Sequence, residues 1–215
     1  MMAAIWGPRV DLAAAVPEAM HGAHRVQVNI SDDAVAGAMR ISELDPPIEA
    51  VVSVWTGDID GALAELAPMA DRVAVWEVTE RAPLDPVLPT DGSRVDALSN
   101  IAFLRRPDEL TRDEWLHLWL DDHTQVAIDT QATFGYYQNI VERPLTPDAP
   151  PVDAIVEELF PMATVSDIHA FYGSGGDQAE LERRMTAMLA SVVRFGAERN
   201  LDVVPTSRFD HVQTD

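Results

Sequence analysis

The chain has 215 residues, 47% of them hydrophobic and 24% charged; this is enough for one large domain or two of about 100 residues each, and far from the composition of disordered chains. Thirty-six Asp and Glu against fifteen Lys and Arg leave a net charge of −21, a field that repels phosphate backbones and anionic membranes and so excludes nucleic acid and membrane surfaces as partners. Cysteine is absent, which removes disulfides, thiolate nucleophiles, Fe–S clusters and cysteine-type zinc sites and fits a cytoplasmic location.

The opening MMAAIWGPRVDLAAAVPEAM has no basic region followed by an unbroken apolar stretch, and Asp11 and Glu18 interrupt it, so it does not read as a signal peptide. Nowhere do about 18 apolar residues follow one another, which argues against a spanning helix. Residues 2–6 read as a strand, 10–20 as a helix, and 24–30 (HRVQVNI) as an alternating strand. After a loop, 48–55 (IEAVVSVW) is a strand, 59–69 a helix, and 72–78 (RVAVWEV) a strand. The stretch 82–100, carrying Pro83, Pro86, Pro89 and Gly92, can be neither an uninterrupted helix nor a central strand.

Residues 99–105 (SNIAFLR) form a short apolar strand ended by Arg106 and Pro107. Thr111 and Glu114 make a T-x-x-E capping box, with Leu110 and Trp115 placed for a hydrophobic staple, so a helix starts here. Trp115, Leu118, Trp119, Asp122, His123 and Val126 then recur at spacings of three and four along one helix face. Residues 133–142 (TFGYYQNIVE) and 152–160 (VDAIVEELF) are two strands separated by a proline loop. A short helical stretch over 164–172, capped by Ser166, is broken by Gly173, Ser174, Gly175 and Gly176. From Asp177 a longer helix buries Leu181, Met185, Met188, Leu189 and Val192 and ends at Asn200. Residues 201–209 supply a last strand in which Pro205 marks an edge.

Both halves therefore run βαββαβ, the order of a four-stranded antiparallel sheet with two helices on one face. The bare face of each sheet needs a cover, and the other copy can provide it. The expected fold is α+β: two tandem ferredoxin-like modules forming one fused barrel, with residues 1–82 as the first module, 83–98 as a Pro-rich linker and 99–215 as the second.

Several constellations could carry chemistry. His123 shares a helix face with Trp115 and Trp119, with Asp122 beside it; an imidazole so placed either titrates near neutrality and moves protons, or simply hydrogen-bonds its surroundings. Tyr136 and Gln138 share one strand face, and Tyr137 and Asn139 the other. Glu157 points opposite to Glu158; a sheet-facing Glu157 acts as a base or is paired with Arg105, Arg106 or Arg143. His21 with His24, and His117 with Asp121, have metal-like spacings but no third ligand, so no metal site is expected. The glycine run lacks a phosphate-loop ending, and Trp55 and Trp76 read as core.

The run IAFLRRPDELTRDEWLHLWLDDHTQVA resembles the opening of EthD-type domains, a strand ending in basic residues and Pro followed by a helix with an aromatic pair and a His. GYYQNIVE is similar to that family's Tyr-x-Gln-Asn strand, through Tyr136, Gln138 and Asn139, and DAIVEELF to its Asp-Gly-Ile-x-Glu strand, with Ala154 in place of the glycine. The likeness spans 99–209, and the N-terminal half has no counterpart of these motifs, so it reads as a diverged repeat. The resemblance implies the dimeric α+β barrel superfamily, with its cofactor-independent isomerases, decarboxylases and monooxygenases and its haem-binding members. The expected function on this basis is binding or conversion of a small apolar or aromatic ligand in a site with Trp115, Trp119 and Tyr136 as walls, Asp122 at its edge, Gln138 to orient the ligand, and His123 and Glu157 as catalytic groups without a cofactor. The alternatives are a side-chain-filled barrel that acts by self-association, for instance as a homodimer, and a haem protein with His123 as ligand, which a Soret band would reveal.

Overall fold

The structure, a computed structural model, describes residues 1–212; the last residues of the expected second module, 213–215, lie outside the described residues. The N-terminal module comprises β1 (Met2–Pro8), α1 (Leu12–Ala19), β2 (Arg25–Ile30), β3 (Ala50–Trp55), α2 (Ile59–Leu66) and β4 (Ala70–Leu84). A short strand β5 (Asp91–Arg94) lies within the Pro-rich stretch. The C-terminal module comprises β6 (Leu98–Leu104), α3 (Arg112–Leu116), a π-helical segment (His117–His123), α4 (Thr124–Thr130), β7 (Gly135–Pro144), β8 (Ala154–Phe160), α5 (Ile168–Phe171), α6 (Gln178–Val192) and β9 (Asp202–Val212).

The two modules repeat one strand order. The first reads β2-β3-β1-β4 and the second β7-β8-β6-β9, all antiparallel, which is the ferredoxin-like arrangement twice over. The modules then join through β4 with β7 and β2 with β9, closing the sheet into a barrel. Closure explains why β4 and β9 outrun their expected ends. β4 pairs β1 as far as Trp76 and continues from Trp76 along β7, while β9 pairs β6 as far as Thr206 and continues from Ser207 along β2. Each strand thus spends half its length in its own sheet and half in the partner's.

Proline sits where this pattern tolerates it. Pro83 falls inside β4, contrary to the expectation that no central strand runs there, but a register irregularity between Arg81 and Leu84 spares its missing N–H. Pro205 lies in the part of β9 before the β2 pairing begins. The second half of the long helix also differs from expectation: Leu181 and Met188 are buried, whereas Met185 and Leu189 are exposed. Gly196, at φ 80, ends it ahead of Asn200. The shorter helix is capped by Asp167, not Ser166.

Three apolar layers result. Leu12, Val16 and Leu66 pack on the outer face of the first sheet, and Trp115, Trp119 and Met188 on that of the second. Between the sheets, Met2, Trp6, Trp76, Ile101, Phe103 and Ile155 fill the barrel, with the Trp76 and Phe103 rings 6.0 Å apart across the modules. The interior is polar around Glu157. Its carboxylate accepts from Gln27 Nε2 at 2.7 Å, Asn29 Nδ2 at 3.1 Å and Ser99 Oγ at 2.7 Å.

The arginine partner of Glu157 is Arg208, fully buried on β9, and none of the three the sequence suggested. Arg208 Nη1 stands 3.1 Å from Glu157 Oε1, off hydrogen-bond alignment, so this contact is ionic; its Nε donates to Asp210 at 2.6 Å. Arg105 instead holds Asp202, and Arg143 holds Glu77. Removing the guanidinium leaves the buried Glu157 carboxylate with hydrogen-bond donors but no cation, while Asp210 keeps Arg25 at 2.8 Å. Arg208→Ala is expected to cost ~3–5 kcal/mol in urea unfolding; a loss under about 1 kcal/mol would show that the network does not hold the modules together.

Candidate functional site

The site begins with a helix start. Thr111 Oγ1 accepts from Glu114 N and the Glu114 carboxylate accepts from Thr111 N, completing the expected capping box and fixing where the helix leaves β6. Beyond it Trp115, Trp119, His123 and Ala127 are buried at intervals of four, with Thr130 ending the series three residues on. An α-helix overshoots such a repeat and a π-turn undershoots it, so inserting the π-segment keeps the series in line over the sheet. Asp122 is thereby carried to the surface, where it binds Arg194 at 2.6 Å.

Between this helix, α6 and the outer face of the second sheet lies a cavity of about 210 Å³. Trp119, His123, Tyr136, Glu158, Met188 and Phe195 are among its walls. A second chamber of about 360 Å³ adjoins it, sharing Met39, Asn100, Phe171 and Tyr172 and adding Leu98, Ile168 and Met185. Met39 and Ile41 reach the site from the N-terminal module, pinned by reciprocal backbone hydrogen bonds between Ile41 and Val203 of 3.1 and 2.8 Å. The first module therefore supplies part of the wall.

Burial sets the protonation states. His123 Nδ1 lies 2.9 Å from Ser191 Oγ and its ring 4.8 Å from that of Phe195, and burial lowers its pKa to about 4, so the imidazole is neutral at neutral pH. Of the two roles the sequence leaves open for His123, titration near neutrality does not fit this environment, because desolvation dominates and Asp122 binds Arg194 instead; the hydrogen-bonding role fits the Ser191 contact. Burial raises the Glu158 carboxyl to about 7, and no cation offsets it. Tyr136 is raised first by burial and then by the charge of Glu158, and Tyr172 likewise. Glu158 Oε1, Asn100 Oδ1 and Gln131 Oε1 are buried without hydrogen-bond partners.

Of the residues singled out in the sequence, His123, Trp119 and Tyr136 meet at the cavity. Trp115 lies in the packed layer beside it, its indole donating to the Phe195 carbonyl at 3.0 Å. Gln138 shares the Tyr136 face but donates to Thr124 Oγ1 at 2.9 Å and lines neither chamber. Glu157 faces the barrel interior, on the opposite side of the sheet from His123. The carboxylate on the His123 side is Glu158, paired in register with Tyr136, while Glu157 is paired with Tyr137. Alternation offered a signal for this, since a choice of Tyr136 for one face commits the neighbouring strand once the register is known. His117 and Asp121, 2.9 Å apart, form an exposed surface contact.

The sequence matches no family model and no curated protein. A solved structure described as a crystal structure study of an anthrone oxidase-like protein shares the fold, with TM-score 0.62 over 100% of this chain and 92% of that one at 10% identity. No helix among the described residues is long and apolar enough to cross a membrane.

Glu158 and His123 bound stability from opposite sides. The stability Glu158 contributes is complete below its ordinary value of 4.5 and is lost as pH rises through about 7. That of His123 is complete above 6.5 and is lost as pH falls through about 4. Glu158→Gln is expected to match the parent protein near the lower end of the Glu158 window and to exceed it by on the order of 3 kcal/mol once the pH is well above 7. Urea midpoints across that range check this, and parallel pH curves for the two proteins would contradict it.

Proposed function

We propose that this chain is an EthD-like α+β barrel protein that binds or converts a small apolar or aromatic metabolite, without a cofactor, in the cavity between the second sheet and its helices. The observation that carries this reading is an unpartnered carboxyl, Glu158, enclosed with His123 and Tyr136 behind aromatic walls. Ligand sites have this composition, apolar linings with a few convergent polar groups. The inner chamber alone is below the ~300 Å³ at which drug-sized pockets begin, and the two adjoining chambers fall within the usual range. Likeness to an anthrone oxidase-like protein supports the reading as a fold analogy.

In this reading Glu158, with its carboxyl pushed to about 7, gives or takes the proton. His123, neutral, polarises or orients a ligand oxygen from the ring nitrogen that Ser191 does not engage. Glu157 serves the barrel, as its place with Arg208 suggests. Residues 1–82 are a diverged copy of 99–215 joined by 83–98, and a homodimer is not required to close the barrel, since β4 with β7 and β2 with β9 do so within one chain.

Isothermal titration with naphthylmethanol, a neutral aromatic probe of suitable size, tests the proposal. Saturable one-to-one binding is expected. Met188→Trp, which fills the inner chamber, should weaken it by at least about tenfold, and His123→Ala, which removes the ring nitrogen that Ser191 does not engage, should weaken it as well. Undiminished binding in Met188→Trp would place the probe elsewhere and sink the proposal.

A further inference from the structure

Three fully buried side-chain oxygens of the inner chamber have no hydrogen-bond partner. Asn100 Oδ1, Gln131 Oε1 and Glu158 Oε1 come from β6, the end of α4 and β8, and all three residues line the same space. A buried acceptor without a donor costs about 1–3 kcal/mol, so three facing one space define what a ligand must bring. An ammonium carries three donors; an alcohol carries one, and a carboxylate none.

Charge points the same way. Among the described residues no Lys or Arg lines either chamber, and the formally acidic or basic side chains there are His123, Glu158 and, in the outer chamber, Asp167. The surrounding molecule carries a net charge of −21, a field that draws cations toward a cleft and repels anions. Trp119, Tyr136, Phe171 and Tyr172 line the inner chamber, and aromatic side chains are favourable neighbours for an organic cation. The outer chamber, with Met39, Ile168 and Met185 exposed at its rim, offers apolar surface for a hydrophobic body.

Resting on the reading of this cavity as the ligand site, we propose that the ligand is a hydrophobic amine, with its ammonium seated among Glu158, Asn100 and Gln131 and its apolar body in the outer chamber. Amine binding strengthens as Glu158 ionises. The groups that face Glu158 do not mask this: His123 from the π-segment is neutral, Tyr136 on β7 and Tyr172 beyond α5 hold their protons, and Asn100 on β6 and Met188 and Val192 on α6 do not titrate.

The test compares naphthylmethylamine, naphthylmethanol and naphthoate by isothermal titration of the intact protein. Salt at about 0.3 M screens attraction to the acidic surface. At pH about 8 the amine is expected to bind on the order of tenfold tighter than the alcohol, with naphthoate weakest. The margin should shrink toward pH about 5 as Glu158 takes up its proton, and Glu158→Gln should erase it. Equal affinity for amine and alcohol would overturn the amine assignment while leaving the cavity as the site; no binding of any probe would overturn the cavity reading itself. A margin that persists in Glu158→Gln would mark surface attraction and overturn the assignment as well.

Discussion

The pairing of β4 with β7 and of β2 with β9 is the constraint from which the other features follow. A four-stranded sheet with helices on one face leaves an apolar face and two open edges exposed to water. One closure covers both faces and removes the edges at the junctions, which is why Met2, Trp6, Trp76, Phe103 and Ile155 can meet between the modules. It also fixes β9 so that Arg208 reaches Glu157, with Gln27 and Asn29 arriving from the other module. The polar network is thus satisfied only in the closed barrel, and it favours this pairing of the two halves over alternatives that leave its members unpaired.

Closure also decides where a ligand can go. Side chains such as Trp6, Trp76 and Phe103 pack between the sheets, and the cavity that holds His123 and Glu158 lies on the outer face of the second sheet. There a four-residue repeat of bulky side chains holds the helix over the sheet, and the loop carrying Met39 and Ile41 crosses from the first module to form another wall. The two modules share a topology and differ in what their helices cover. In the first, small and branched residues such as Leu12, Val16, Ala62 and Leu66 pack down on the sheet.

Glu157 and Glu158 show how one peptide unit separates two chemistries. The first is compensated by a guanidinium and three hydrogen-bond donors within the barrel. The second has no cation, and burial holds its carboxyl near neutrality in pKa. Neighbouring residues on a strand face opposite sides of the sheet, so identical side chains enter unlike media. The same logic moved Asp122 away from His123: the π-segment aligned the residues four apart and turned the intervening aspartate to Arg194.

Local pattern was enough for much of this. The βαββαβ order, the capping box at Thr111 and Glu114, and the shared helix face of Trp115, Trp119 and His123 all depend on periodicity and nearest-neighbour chemistry, which a linear chain displays directly. Register, closure and depth of burial are relations between distant segments, and these only the tertiary structure decided. The partner of Glu157 lies on β9, the choice of Glu158 over Glu157 depends on which residue stands opposite Tyr136, and the lowered basicity of His123 depends on what surrounds it. A chain's pattern specifies which faces its side chains take; the energy of a charge on such a face is set by the medium that folding builds around it.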